Sequence, residues 1–499
     1  MMTEPQKQRA ITGWLDFLNT PLEAQLQRSS QQDSTADVLA LFHDVAATVP
    51  AYKAFLAEQE INPTTIQTFA DFQKLPLITK GNYHTRHPLP ELCRQGRLEM
   101  CDMIAVSSGS TGKPTFWPRF FTDELQIATR FEQIFHDSFY CDTHSTLAVI
   151  CFSLGTWVGG IYTTNCCRYL ASKGYPLTVI APGNNKTEIL RVVQELGVNF
   201  DQIVLLGYPP FLKDVIDTGI VQQIEWQKYQ TKLVMAGEVF SEEWRDLLGA
   251  RVGSQNPCYD SAALYGTADA GVLGNETPLS ICIRRFLANH PDAAKALFGE
   301  SRLPTLVQYD PLSRFFEVKD GTLLFSGDNG IPLVRYHISD AGGIITYNAM
   351  LEFLTQWGFD PVAALAGKRG IRQLPFVYVF GRDFTVSYFG ANIYPENVTV
   401  GLEQPVISAW VTGKFVMQVK EDTDKNRFLS VVVELAPNIE GGEDKRQAIA
   451  SSILCQLLRL NSEFANYVPQ EYQMPQVTLT PMGDSEYFPI GVKHRYTRR

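Results

Sequence analysis

From about residue 146 the chain alternates short apolar runs with amphipathic stretches, and this constrains the fold more than any other feature. The runs 146–152 (TLAVICF), 176–182 (PLTVIAP), 202–207 (QIVLLG), 232–237 (KLVMAG) and 261–266 (SAALYG) have the length and composition of buried strands. Between them, GIYTTNCCRYLASKG (160–174), KTEILRVVQELG (186–197) and SEEWRDLLG (241–249) read as helices, the first two stopped by Gly174 and Gly197. Such βαβα order predicts an α/β fold with a mostly parallel sheet covered by helices. In sheets of that kind ligands bind beyond the carboxyl ends of the strands. The loops after Phe152, Gly207, Gly237 and Tyr265 are therefore candidate walls of a site.

The flanking regions differ. Residues 1 to about 100 are predicted to be helical. In 35–50, Val38, Leu41, Phe42 and Val45 recur at helical spacing up to Pro50, and 65–80 carries a similar stripe stopping at Pro76. After about 310 β signals dominate, as in TLLFSGDNGIPLVRY and GGIITY. The last segment, 383–499, combines FLSVVVELAP, RQAIASSILCQLLRL and YQMPQVTLTP, enough for a separate small α/β domain after a large one over 1–382.

Composition narrows the function. A net charge of −10 argues against nucleic acid or an anionic membrane as partner. No apolar run reaches membrane-spanning length. The N-terminal MMTEPQKQRAITGW lacks a signal peptide's apolar centre, so the cytoplasm is the expected location. The nine cysteines form no C-x-x-C pair and read as reduced thiols.

Four motifs carry chemistry. Ser107-Ser108-Gly109-Ser110-Thr111-Gly112-Lys113-Pro114-Thr115 is a loop of small residues whose N–H groups and hydroxyls suit phosphate oxygens, with Lys113 adding charge. It is not a Walker A loop, which needs Gly at 107 and Ser or Thr at 114. Leu264 to Gly271 (LYGTADAG) offers a flat aromatic, Tyr265, and a carboxylate, Asp269. Pro332 to Asp340 (PLVRYHISD) ends in another carboxylate, and Gly381-Arg382-Asp383-Phe384 precedes GANIYPENV (390–398).

In this order over 107–398 the motifs resemble those of the acyl-adenylate-forming superfamily, which includes acyl-CoA synthetases, luciferases and peptide-synthetase adenylation domains; the phenylacetate–CoA ligase branch is the nearest in pattern. The resemblance implies ATP-dependent activation of a carboxylic acid as acyl-AMP, with release of pyrophosphate, then acyl transfer to coenzyme A. An amine or a carrier-protein thiol as acceptor, and a catalytically weak nucleotide-binding homologue, remain open at this stage. ATP, Mg2+ and coenzyme A are the implied cofactors and a small carboxylic acid the partner.

By the same resemblance, Ser107, Ser108, Gly109, Ser110, Thr111, Gly112 and Lys113 bind the β- and γ-phosphates. Gly237, Glu238, Tyr265, Gly266, Thr267 and Arg382 line the nucleotide site, Asp269 holds Mg2+ and Asp340 accepts from the ribose hydroxyls. Phe152, Trp157 and Phe240 line an apolar acyl pocket, Asp383 is the hinge of the small domain, and Lys493 joins Lys113 as a catalytic lysine. The pattern departs from the family at Asp269 (usually Glu), Ala268 (usually a hydroxyl), Ser339 (usually Gly) and Lys493, which lies one position from the expected Gly-Lys. The gap between Gly-Arg-Asp-Phe and GANIYPENV is one residue short, and one Asp is missing there.

Overall fold

The computed structural model describes residues 4–107, 115–299, 303–381, 385–436, 438–488 and 496–498. The chain divides into two compact units. The first comprises 1–106, 116–207 and 214–381, and the second 107–115, 208–213 and 382–499.

The first unit opens with helices Glu4–Asn19, Leu22–Gln31, Ser34–Thr48 and Pro50–Glu58. Asp33 caps the third by accepting from Thr35 N, and Val38, Phe42, Val45 and Ala46 are its buried face. Pro50 both stops that helix and starts the next, because a ring that lacks an N–H fits a first helical turn. The helix expected from 65 up to Pro76 shrinks to Phe69–Phe72, opened by a Thr68–Asp71 capping box. Pro76 disfavours helical backbone at the residue before it. Ile78 then takes a sheet role, its N–H donating to Arg335 O (3.3 Å) while its carbonyl accepts from His337 N (2.9 Å).

Strands β1 (Met103–Ser107) and β2 (Thr115–Arg119) form a two-stranded sheet. An eleven-stranded sheet follows. Its strands are β3 (Thr146–Ile150), β4 (Leu177–Ile180), β5 (Gln202–Gly207), β6 (Lys232–Ala236), β7 (Ser261–Thr267) and β8 (Gly271–Asn275). They continue with β9 (Thr305–Gln308), β10 (Phe315–Lys319), β11 (Thr322–Gly327), β12 (Leu333–Ile345) and β13 (Phe376–Gly381). The spatial order is β10-β11-β12-β13-β9-β8-β7-β6-β5-β3-β4.

Pairing is parallel from β4 through β3, β5 and β6 to β7, the region of βα alternation, and antiparallel from β7 to β10. Every residue of β3 and β5 is buried, as expected for parallel strands covered on both faces. Helix Val158–Lys173 ends on Gly174 at φ 107°. Helix Glu242–Val252 begins on Ser241, which accepts from Trp244 N, and runs past Gly249 to Gly253 at φ 77°. Gly197 closes Lys186–Leu196 with right-handed backbone and leads into a 3-10 turn.

In the second unit, β14 (Val386–Tyr388) and β15 (Ala391–Ile393) form a hairpin. Strands β16 (Val411–Glu421), β17 (Arg427–Leu435) and β18 (Gln476–Thr480) form a mixed sheet: β16 pairs antiparallel with β17, and β18 parallel. Helices Pro395–Leu402, Glu443–Leu460 and Ser462–Tyr467 belong to the same unit. Among the described residues, no helix is long and apolar enough to cross a membrane.

Candidate functional site

The motif at 264–271 ends β7, turns, and begins β8. The strand register shifts between Tyr265 and Gly266. A Cβ on Gly266 would lie 2.6 Å from Gly271 O, so only glycine allows the two backbones to approach this closely. Thr267 Oγ1 accepts from Ala270 N at 3.2 Å and closes the turn that carries Asp269.

The motif at 332–340 lies on β12. Arg335 and Ser339 both adopt left-handed backbone, φ 49° and 67°. Positive φ at 339 accounts for the glycine of the family pattern, and a serine pays for it in strain. Arg335 is buried; it donates to Glu317 Oε2 (3.0 Å) and to the carbonyl of Leu75. That arginine ties the N-terminal region to the sheet.

Two tyrosine–carboxylate hydrogen bonds join the motifs. Tyr265 Oη donates to Asp340 Oδ2 at 2.7 Å, and Tyr336 Oη donates to Asp269 Oδ2 at 2.6 Å. All four side chains are buried. Short hydrogen bonds from a hydroxyl to a carboxylate are among the stronger ones, worth roughly 1.5–3 kcal/mol each. Asp269 Oδ1 accepts no hydrogen bond from the described residues. Nearby, the His84 ring lies 4.2 Å from Trp117, and Trp117 6.4 Å from Tyr336. Burial pushes the His84 imidazole below its ordinary range, opposed by its contact with Phe116 O.

Beneath the turn lie two buried arginines. Arg119 donates from Nη1 to Asp269 O (3.2 Å) and from Nη2 to Ala268 O. Arg314 Nη2 donates to Ala270 O (3.3 Å) and to Asp123 Oδ1 (3.0 Å). Burial pushes the Asp123 carboxyl up, opposed by Arg314 and Arg119. Tyr336 lies inside the 332–340 motif, whose pattern gives it no role, and Arg119, Asp123 and Arg314 lie outside all four motifs; nothing in their local sequence marks them.

The other expected residues are placed as follows. Ser107 is buried at the end of β1. Before it, Val106 N donates to Thr156 O (3.0 Å), and Val106 bridges to Trp157. Phe152 and Trp157 are both buried in the loop after β3. Gly160 lets the next helix close on that loop, since a Cβ there would lie 2.3 Å from Ser153 O. Gly237 (φ 90°) and the half-buried Glu238 follow β6, beside the end of β7. Phe240 is buried with its ring 5.0 Å from the Arg245 guanidinium and 5.8 Å from that of Arg284, in an ion-pair cluster with Glu242 and Glu276. The structure thus brings Tyr265, Asp269 and Asp340 together, and sets Phe240 among arginines. Ser108, Gly109, Ser110, Thr111, Gly112, Lys113, Arg382, Asp383 and Lys493 lie outside the described residues.

No family model matches the sequence, and no curated protein matches it. Solved structures do. 2-Hydroxyisobutyryl-CoA ligase in complex with 2-HIB-AMP and CoA, in the thioesterification state, matches with TM-score 0.64 at 14% identity, over 95% of this chain and 92% of that chain. The same ligase in an open conformation with 2-HIB-AMP and CoA matches with TM-score 0.52 at 13% identity, over 93% and 90%. The chain has the fold of an acyl-CoA ligase. The architecture implied by the motif resemblance is therefore the one found. In this acyl-CoA ligase fold, β7, its turn and β12 bring two of the four motifs into hydrogen-bond contact.

Proposed function

We propose that the protein activates a carboxylic acid with ATP as an acyl-AMP and then transfers the acyl group to coenzyme A. The observation that carries this reading is the paired hydrogen bonding of Tyr265 to Asp340 and of Tyr336 to Asp269, which assembles two motifs of an adenylate-forming pattern within an acyl-CoA ligase fold. In the first half-reaction a substrate carboxylate oxygen attacks the α-phosphorus. The bond to the bridging oxygen breaks, and pyrophosphate leaves. Catalysis here is chiefly positioning and charge neutralisation.

Asp340 presents a carboxylate held by Tyr265, and a carboxylate suits ribose hydroxyls as their acceptor. Asp269 fits a hard cation, since one of its oxygens is oriented by Tyr336 while the other accepts no hydrogen bond from the described residues. Mg2+ there would neutralise phosphate charge. A single carboxylate is in keeping with an ion that takes most of its ligands from phosphate and water. Among the described residues no three His, Cys, Asp or Glu side chains gather as a metal-binding group. By resemblance, loop 107–113 is assigned to the β- and γ-phosphates, Lys493 to the charge that develops on the acyl phosphate, and Phe152, Trp157 and Phe240 to the acid. CoA as acceptor is supported by the motif pattern and by the CoA bound to the structural neighbours; the phenylacetate–CoA ligase-like branch rests on the motif pattern alone.

The test is acid-dependent exchange of labelled pyrophosphate into ATP, with aryl, aliphatic and amino acids, followed by AMP release with and without CoA. Exchange with at least one acid, and AMP release accelerated by CoA, are expected. AMP release that ignores CoA but responds to an amine would replace the acceptor. ATP binding with no exchange for any acid would overturn the reading.

A further inference from the structure

We infer that Arg119, Asp123 and Arg314 form a buried clamp that fixes the main chain of the turn carrying Asp269, and with it the place from which the carboxylate meets the metal-bound phosphates of ATP; this rests on the adenylation reading above. The three consecutive carbonyls of the turn, those of Ala268, Asp269 and Ala270, are each held by a guanidinium. All three clamp side chains are buried, Asp123 and Arg119 completely.

How the donors are used distinguishes a positioning device from a plain ion pair. A guanidinium paired for stability places its fork on the carboxylate. Here the closest Arg119–Asp123 approach is 3.8 Å, and Asp123 Oδ2 makes no hydrogen bond among the described residues. Arg119 turns both terminal nitrogens to the turn instead. Arg314 bridges, one nitrogen reaching both Asp123 and Ala270 O. The Nε groups of both arginines are buried without a hydrogen-bond partner among the described residues. Leaving polar groups unsatisfied costs stability. The arrangement accepts that cost and fixes a backbone segment whose side chain faces Tyr336 rather than the clamp. The clamp thus restrains the main chain of residue 269, and Tyr336 its carboxylate.

The test measures binding as well as turnover. Affinity for α,β-methylene-ATP, with and without Mg2+, and for AMP is measured by calorimetry on the full chain, for wild type, Arg314→Gln and Asp123→Asn. Pyrophosphate exchange is run on the same preparations. In the wild type Mg2+ is expected to tighten binding of the analogue. Both variants are expected to lose about tenfold or more of that Mg2+-dependent gain, the size typical for residues that orient a metal ligand. Their affinity for AMP is expected to stay within about twofold, because Asp340 and Tyr265 are untouched. Asp123→Asn keeps side-chain shape and decides the matter if Arg314→Gln does not fold. A folded variant that keeps the full Mg2+ gain overturns the clamp. So does one that loses AMP and analogue binding in parallel, the signature of a purely structural role. A wild type that exchanges pyrophosphate but shows no Mg2+ gain overturns the clamp and spares the adenylation reading. No exchange in the wild type overturns both.

Discussion

Glu124 shows how burial writes a pH dependence into one residue. Its carboxyl accepts from Tyr169 Oη (2.6 Å) and from Asn165 Nδ2 (3.2 Å), yet burial pushes it from 4.5 up to about 7. The folded state therefore holds a proton that the unfolded chain releases near pH 4.5. Stability from this group is full below that pH and is lost as pH rises through about 7. The shift corresponds to roughly 3 kcal/mol at its full extent. Glu124→Gln, which mimics the protonated form, should match wild type near pH 4.5 and exceed it at pH 8 by up to about that amount. Urea denaturation at both pH values decides, and equal pH slopes for the two proteins would sink the argument. Ser339 carries the opposite kind of information: its positive φ was invisible in its identity, and the family's glycine was the hint.

At the scale of an element, the β7–β8 hairpin is where backbone shape and chemistry meet. Gly266→Ala would set a methyl 2.6 Å from Gly271 O, a backbone atom that cannot step aside. The hairpin must open, at a cost of about 1–3 kcal/mol. Opening also displaces Tyr265 from Asp340. A lower melting temperature and weakened AMP binding should therefore appear together; a variant with wild-type AMP affinity would show that the Tyr265–Asp340 pair does not serve the nucleotide. The 65–80 segment shows a local signal overruled at this scale. Its apolar stripe reads as a helix, but Leu75 O and Ile78 are taken by Arg335 and the β12 backbone, so only one turn survives.

For the whole molecule, the proposed nucleotide binding would be linked to stability. A ligand that binds only the folded state at 100 times its Kd adds about 2.7 kcal/mol. AMP should raise the melting temperature of the wild type, and Asp340→Ala should lose most of that rise; a full shift in the variant would remove Asp340 from the ribose. Much of the architecture was legible in the chain. The strands at 202–207 and 232–236, the helix ended by Gly174 and the cap at Ser241 follow from short-range rules: buried strands are apolar runs, and helix ends need particular residues. The order of the motifs, and through them the fold family, were likewise readable, because they lie in consecutive residues. Tertiary structure decided the rest. Tyr265 and Asp340 are 75 residues apart, Tyr336 and Asp269 67, and Arg119 and the turn about 150. No local pattern encodes a hydrogen bond across such distances. It exists only once the sheet sets β7 and β12 within reach and burial makes an unpaired carboxylate or guanidinium costly.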